Sequence, residues 1–401
     1  MYWALLVVFG IFALGDYLGV VSKARLSSVF VALMCFLVLF LSGVLPQDLI
    51  KIAGLTDLAK MATPFLVFSM GSSINLSQMR REWKVVVMSL AAMLVAVVSV
   101  LAVAPLIGMQ SALVCIPIVN GGIVATQIMT AAALEKGFGL AAALGTLVFA
   151  VQKFVGTIPA SHFGLKEAKL LVSDYREKKA QGIDLLKAAQ PQAREETDAQ
   201  PKKVPFCVRY DKYYTVYMTL GIAAAVAYVS SLIARVTGIA ASIWCLLFGM
   251  LLNQLHLIPS RILDRGKSSG LFMTATFCSL IPALAKIKLS DMGSMAVSLA
   301  LVFGAVLIGT FLLLYVLPLW KFIGSRNMVV GIAMSQLLGF PATFLIVNEV
   351  ATAVAQNDDE KNYVVEKLTP AFVVSGFVSV TTFSIIMAGI FASFLHLFPA
   401  P

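Results

Sequence analysis

The chain has 401 residues, of which 60% are hydrophobic and 12% charged, with a formal net charge of +10 and a mean hydropathy of +0.92. This composition excludes an ordinary soluble domain, and the continuous apolar runs exclude a membrane β-barrel, whose strands alternate apolar and polar residues. The basic residues lie mostly in short links between apolar runs, where they control topology, so we expect no nucleic-acid partner.

Apolar segments follow one another along the chain, and most are long enough for a membrane-spanning helix of about 20 residues. Those of the first half lie at about 1–20, 27–45, 61–79, 84–108, 110–136 and 138–165. Those of the second half lie at about 213–236, 240–256, 267–285, 289–320, 327–356 and 365–396. We therefore predict an all-α polytopic membrane protein with a first transmembrane repeat (1–165), a hydrophilic linker (166–212) that is partly helical at its start, and a second transmembrane repeat (213–401).

A duplication with inversion explains both the order of the segments and the distribution of charge. The motif Ile-Asn-Leu-Ser-Gln-Met at 74–79 returns as Ile-Lys-Leu-Ser-Asp-Met at 287–292. If each of the segments 110–136 and 327–356 enters and leaves on the same side of the membrane, 23 basic residues lie in the cytoplasm and six lie outside. If all twelve segments cross the membrane instead, the better orientation places 18 basic residues in the cytoplasm and 11 outside. We predict two inverted repeats of about five transmembrane helices each, plus a re-entrant or broken helix per repeat. The protein is then located in the cell (inner) membrane. Its linker lies in the cytoplasm, and both termini lie on the outer side of the membrane.

The segment 110–136 contains a predicted break at Asn120, Gly121 and Gly122. Adjacent glycines let the backbone leave the helix, which at membrane depth is tolerated only inside protein or beside a water-filled cavity. Exposed N–H groups at the start of a half-helix suit an anion, and exposed carbonyls suit Na⁺. Asn120 and Thr126 add polar atoms, so we predict a substrate site here. Close helix packing through small residues is the alternative.

The segment 327–356 has a corresponding break, Gly-Phe-Pro at 339–341, in an otherwise apolar stretch. Its polar groups favour a role in the same substrate site. The substrate-binding candidates of this segment are Gln336, Gly339, Pro341, Thr343 and Asn348. Glu349 is a candidate ion ligand if it lies at membrane depth, where an acid is costly, and an interfacial residue otherwise.

Lys153 lies in the middle of the segment 138–165, where a charged side chain needs a partner or an aqueous path. We include it among the substrate-binding residues, with a structural ion pair as the alternative. Small hydroxyl residues in two other segments, Ser69, Ser72 and Thr276, are candidate ion-binding groups. Helix packing explains these hydroxyls equally well.

Three stretches resemble the bacterial sodium–glutamate symporter family and its wider clan, which includes 2-hydroxycarboxylate and ketodeoxygluconate transporters. They are FSMGSSINLSQMR at 68–80, VNGGIVATQ at 119–127, and GFPATFLIVNEVATAV at 339–354 followed by TPAFVVSGFVSV at 369–380. The order of segments and the hydrophilic central loop are also similar. The resemblance implies a cation-coupled symporter of a small organic anion that moves a core domain by an elevator-like or rocking motion. It is compatible with a homodimer.

The sequence thus predicts a Na⁺- or H⁺-coupled symporter of a carboxylate such as glutamate. A cation/proton antiporter or an exporter on the same scaffold is the alternative, but it needs a titratable acid at the midplane, and Glu349 is the one candidate. An enzyme is disfavoured because the sequence has no nucleophile–base constellation and no Asp-rich metal motif. The five cysteines lack metal-binding spacing, so we expect no metal site and no cofactor, with Na⁺ as the coupling ion.

Overall fold

A computed structural model describes residues 1–21, 28–74, 76–181, 206–339, 342–395 and 397–398, and all regular structure in these ranges is helical. Within them, five helices are long and apolar enough to cross a membrane: Trp83–Ala102, Gly139–Ala180, Val216–Thr237, Leu289–Val316 and Asp358–Leu395. The all-α class is therefore confirmed, and the helices are compatible with insertion into a membrane.

The helices of the first half coincide with its predicted apolar segments, because a continuous apolar run can satisfy its backbone only within a helix. Segment 110–136 is divided into two helices at 120–122, as the glycine pair predicts. In the described part of this half the helices are α1 (Tyr2–Val21), α2 (Ser28–Leu41), α3 (Leu49–Ile52), α4 (Thr56–Ser72), α5 (Leu76–Arg81), α6 (Trp83–Ala102), α7 (Ala104–Ile107), α8 (Met109–Val119), α9 (Ile123–Glu135) and α10 (Gly139–Ala180).

The second half has a similar series, with a division near residue 340 inside segment 327–356. Its last helix contains π-helical turns at Pro370–Val374 and Ser379–Phe383. The described helices are α11 (Phe206–Arg209), α12 (Val216–Thr237), α13 (Ala241–Gln254), α14 (Ile262–Arg265), α15 (Ser269–Cys278), α16 (Ile281–Leu284), α17 (Leu289–Val316), α18 (Arg326–Leu338), α19 (Ala342–Val354) and α20 (Asp358–Leu395).

Helices α8 and α9 fold back on each other, and we call the pair hairpin 1 (109–135). A Cβ placed on Gly145 of α10 would lie 2.8 Å from Val114 Cγ1 and 3.8 Å from Thr130 Cγ2, so both legs reach the same point of α10. In one continuous helix Val114 and Thr130 would be about 24 Å apart, given a rise of about 1.5 Å per residue. The two legs therefore lie side by side, with the break at 120–122 between them.

Helices α18 and α19 form a second such pair, hairpin 2 (326–354). A Cβ on Gly164 of α10 would lie 3.3 Å from Phe372 Cζ and 3.7 Å from Val350 Cγ1. The same ring lies against Gly331, where a Cβ would be 3.0 Å from Phe372 Cε1. Gly331 and Val350 would be about 28 Å apart in a continuous helix, so these two legs also lie side by side.

The long helices α10 and α20 enclose both hairpins and run in opposite directions past them. Hairpin 1 packs on the first part of α10 and the last part of α20, and hairpin 2 packs on the later part of α10 and the first part of α20. The base of hairpin 1 lies near Gly139, where a Cβ would be 3.5 Å from Lys286 Cγ. We call this side the hairpin 1 end of the molecule.

The opposite side, the hairpin 2 end, is held together by polar contacts of α10. Buried Glu167 accepts hydrogen bonds from Ser325 Oγ at 2.6 Å and Asn327 Nδ2 at 3.1 Å, at the start of hairpin 2. Farther along α10, Arg176 Nε and Nη2 donate to the two carboxylate oxygens of Glu360 at 2.8 and 2.9 Å. The helix α10 thus continues through Ala180 into the predicted linker, whose residues 182–205 lie outside the described ranges.

Candidate functional site

The breaks of the two hairpins meet at one side chain of α20, Val380. A Cβ on Gly122 would lie 2.6 Å from Val380 Cγ1, and a Cβ on Gly339 would lie 3.2 Å from Val380 Cγ2. Both methyl groups of Val380 therefore lie against the breaks, and Cγ1 is close to both of them, since it would be 3.5 Å from a Cβ on Gly339. Because the hairpins enter from opposite ends of the molecule, their tips converge near the middle of the helical bundle.

On the other side of the tips, α10 contacts both breaks within a single helical turn. Gln152 Nε2 donates a hydrogen bond to the carbonyl oxygen of Gly121 at 3.0 Å. A Cβ on Gly156 would lie 2.9 Å from Leu337 Cβ, at the end of the first leg of hairpin 2. Positions 152 and 156 are about 6 Å apart along the helix axis, so α10 positions both tips at nearly the same level.

The breaks require glycine for reasons of backbone geometry and space. Gly339 ends α18 with φ +67° and ψ 175°, a conformation that residues with a Cβ rarely adopt. Gly121 has no room for a side chain, because a Cβ there would lie 2.5 Å from Ser384 Cβ and 2.7 Å from Pro117 O. These two positions make the sharp turns that bring the half-helix ends together.

Five of the eight buried side-chain nitrogen and oxygen atoms without hydrogen-bond partners in the described part of the chain belong to residues at these tips. The four residues that carry these five atoms are at least 99% buried. An unpaired buried polar atom costs about 1–3 kcal/mol, so such a cluster indicates a place where a solute or ion completes the hydrogen bonding. The five atoms at the tips are Asn120 Oδ1, Gln152 Oε1, Gln336 Oε1, Gln336 Nε2 and Thr343 Oγ1, and the other three are Gln127 Oε1, Ser230 Oγ and Thr310 Oγ1.

Lys153 lies on α10 at the level of the tips. It follows Gln152 on α10, and its side chain is half-buried. Within the described ranges, its ammonium group makes no hydrogen bond and no ion pair with a carboxylate. No carboxylate of the described ranges is therefore the partner of Lys153 in the structural ion pair considered above. An anionic solute at the tips would supply a counter-charge.

Two further substrate-binding candidates, Thr126 and Asn348, lie one after the other at increasing distance from the tips. Thr126 Oγ1 donates to the carbonyl oxygen of Gly122 at 3.0 Å and so belongs to the first turn after the break. Asn348 lies farther along α19, where Nδ2 donates to Phe344 O at 2.8 Å. Glu349, the candidate ion ligand, follows Asn348 and is exposed on the surface of the bundle. Pro341 lies outside the described residues.

The candidate ion-binding hydroxyls make contacts of a structural kind. Ser72 Oγ accepts from Ile262 N at 3.3 Å, and Ser69 Oγ accepts from Leu263 N at 3.3 Å, which fixes α4 against the start of α14. Thr276 Oγ1 donates to Phe272 O, one turn earlier in α15, at 2.8 Å. The contacts fit the packing alternative, and an ion-binding role for these three residues stays a prediction.

Several residues that contact the tips have no predicted role, among them Gln152, Gly156 and Val380. Gln152 carried a signal, since a polar side chain beside Lys153 is unusual in an apolar span. Gly156 and Val380 carried none, because a glycine or a valine in an apolar helix is ordinary. Their contacts depend on how distant segments pack.

Comparison with known proteins gives no assignment, since no protein-family model matches the chain and no curated protein sequence matches it. The resemblance to the sodium–glutamate symporter family therefore stays a prediction from the sequence.

Proposed function

We propose that the protein is a secondary transporter that couples the symport of a small organic anion, such as glutamate or another carboxylate, to Na⁺ or H⁺. The observation that carries this proposal is the meeting of the two hairpin breaks at Val380, with unpartnered polar atoms of Asn120 and Gln336 on either side. Broken helices that meet inside a bundle present half-helix ends and exposed backbone to one solute, which is the geometry of many secondary transporters.

The relation between the two halves supports the inverted repeats that such a mechanism uses. Hairpin 1 and α10 in the first half correspond in order to hairpin 2 and α20 in the second. The hairpins enter from opposite ends, and the helices that follow them run in opposite directions. In this proposal each hairpin is re-entrant, and each repeat contributes one break to the solute site.

The distribution of charge supports a topology with the hairpin 2 end in the cytoplasm. Phe322 lies just before hairpin 2, and its ring contacts that of Trp83 with centroids 5.6 Å apart, beside Arg80 and Arg81. The basic end of α10, with Arg176, lies on the same side. Positive residues favour the cytoplasmic face. The linker is then cytoplasmic, both termini are outside, and the cell (inner) membrane is the proposed location.

The chemistry of the tips suits an anion together with a cation. The Lys153 ammonium and the N–H groups at the starts of α9 and α19 attract a carboxylate. The amide oxygens of Asn120 and Gln152 are hard ligands of the kind that Na⁺ takes. Binding energy from both hairpins would then depend on the solute and the ion being present together, which is the requirement for coupling.

Uptake into liposomes that contain the purified protein tests this function. Radiolabelled glutamate, 2-hydroxycarboxylates and sugar acids should be offered with an inward Na⁺ gradient, an inward proton gradient, or neither. We expect one carboxylate to accumulate under one gradient and not in protein-free liposomes. Proton-linked Na⁺ flux without any organic solute would favour the antiporter instead.

A further inference from the structure

A separate cavity of about 680 Å³ lies at the hairpin 2 end, between α20 and the ends of α4 and α13. Its volume is typical of a site for a small ligand. Its walls include Ser73, after α4, and Asn253 and Gln254, at the end of α13. Its position differs from that of the hairpin tips, so it lies outside the solute site proposed above.

The inner part of this cavity approaches the tips along α20. Phe377 and Val378 line it, and Val378 precedes Val380 by two residues, or about 3 Å along the helix axis. Val380 is the residue that contacts both hairpin breaks. The cavity therefore extends from the basic end of the molecule to within one turn of the candidate solute site.

The charge of the lining is one-sided. Arg261 is the charged residue of the described lining, and its other polar residues are histidine, serine, asparagine and glutamine, without a carboxylate. A cavity of one charge sign with low-dielectric walls raises the local concentration of the oppositely charged solute by about tenfold or more. Such a lining favours an anion over a cation beside Arg261.

We propose that this cavity is the cytoplasmic vestibule of the solute site, through which a small carboxylate passes between the hairpin tips and the cytoplasm, and that Arg261 selects anions at its entrance. The proposal rests on the proposed function, since the tips are its inner end. It adds a route, a side of the membrane and a selecting residue. Phe377 and Val378 form the last barrier between the vestibule and Val380.

Thiol labelling tests the vestibule without any need for transport. Phe377→Cys, in a protein whose native cysteines are replaced by serine, is exposed to methanethiosulfonate reagents of similar size that carry either a sulfonate or a trimethylammonium group. Vesicles of known orientation separate the two membrane faces. We expect labelling from the cytoplasmic face, with the anionic reagent favoured about tenfold over the cationic one after correction for a free thiol in solution.

Three further variants assign the preference to Arg261. Arg261→Gln should abolish most of it, and Arg261→Lys should retain it. Lys267→Gln is the matched control, because Lys267 is an exposed basic residue of the same region, with a similar backbone φ of 53° against 51°, but does not line the cavity. If Phe377→Cys does not fold, Val373→Cys on the same wall takes its place.

Labelling only from the outer face, no labelling at all, or labelling without a preference for the anion would overturn the proposal. An equal loss of preference in Lys267→Gln and Arg261→Gln would also overturn it, because the selection would then come from general surface charge. If labelling gives the expected results but the protein takes up no carboxylate, the vestibule proposal stands and the symport proposal fails. The two failures are therefore distinguishable.

Discussion

Gln152 Nε2 donates a hydrogen bond to the carbonyl oxygen of Gly121 at 3.0 Å, and this contact joins the middle of α10 to the tip of hairpin 1. The oxygen atom of the same side-chain amide, Oε1, has no hydrogen-bond partner in the described part of the chain. One side chain therefore both fixes the break and offers an acceptor at the candidate site. A contact with these two roles should affect solute binding as well as stability.

Replacing Gln152 by leucine should separate these two roles. The Gly121 carbonyl would lose its donor, so we expect a loss of about 1–3 kcal/mol in stability, together with weaker solute binding. Gln127→Leu is the comparison, because Gln127 Nε2 likewise donates to a buried carbonyl, that of Ala59, at 2.8 Å, and this contact joins α9 to α4 instead of α10 to a break. Melting temperature and solute affinity should be measured for both variants. Equal effects on affinity would mean that Gln152 has only a structural role.

The contact between Gly122 and Val380 predicts a loss of function with a specific rescue. In Gly122→Ala the new Cβ would lie 2.6 Å from Val380 Cγ1, so the tip must shift and transport should fall at least tenfold. The second change Val380→Ala removes that methyl group and should restore much of the activity, even though Val380→Ala alone leaves a small cavity. Uptake by the two single variants and the double variant checks this. A double variant no better than Gly122→Ala would contradict the packing at the tips.

Removal of the charge of Lys153 tests its place in the solute site. Lys153→Met keeps the length and the apolar stem of the side chain, and we expect a large loss of affinity for the anion with folding largely intact. Lys153→Arg keeps the charge and should retain part of the affinity. Both solute binding and melting temperature should be followed in one purified sample. A lower melting temperature with normal affinity would instead identify a structural ion pair with a residue outside the described ranges.

The proposed topology is checked by two exposed positions at opposite ends of the molecule. Gln181 ends the extension of α10 at the hairpin 2 end, and Ser290 lies beside Lys288 at the hairpin 1 end. In a cysteine-free background, Gln181→Cys should resist an impermeant thiol reagent in intact cells, whereas Ser290→Cys should react. Permeabilised cells provide the control that both thiols are accessible. Rapid labelling of Gln181→Cys in intact cells would reverse the orientation.

Much of the fold could be predicted from the sequence because membrane helices carry their signal in composition alone. The predicted segments match the helices to within a few residues in most cases, and the glycine pair at 121–122 marked the break between α8 and α9. The distribution of charge favours hairpins over crossing helices. The contacts of Gly145 with both legs of hairpin 1 show that this segment folds back on itself, and its re-entry from one side of a membrane stays a prediction.

The site was only partly predictable, because its assembly depends on contacts between distant segments. The polar residues at the breaks identified the two hairpin tips separately. That the tips meet follows from Val380, an apolar residue with no distinguishing signal in an apolar helix. The extent of α10 beyond the predicted span was also difficult to predict, since it is stabilised by Arg176 and Glu360, which are 184 positions apart in sequence.

The central claim is that the two breaks form a single solute site, and equilibrium binding of the transported carboxylate to purified protein tests it most directly. Affinity should be measured for the wild type, for Asn120→Ala on hairpin 1, for Gln336→Ala on hairpin 2, and for the double variant. Each single change removes a polar group that would bind a charged solute, so we predict about a tenfold or greater loss in each and less than additive loss in the double variant. Normal affinity in either single variant, with the protein folded, would contradict a site shared by the two hairpins.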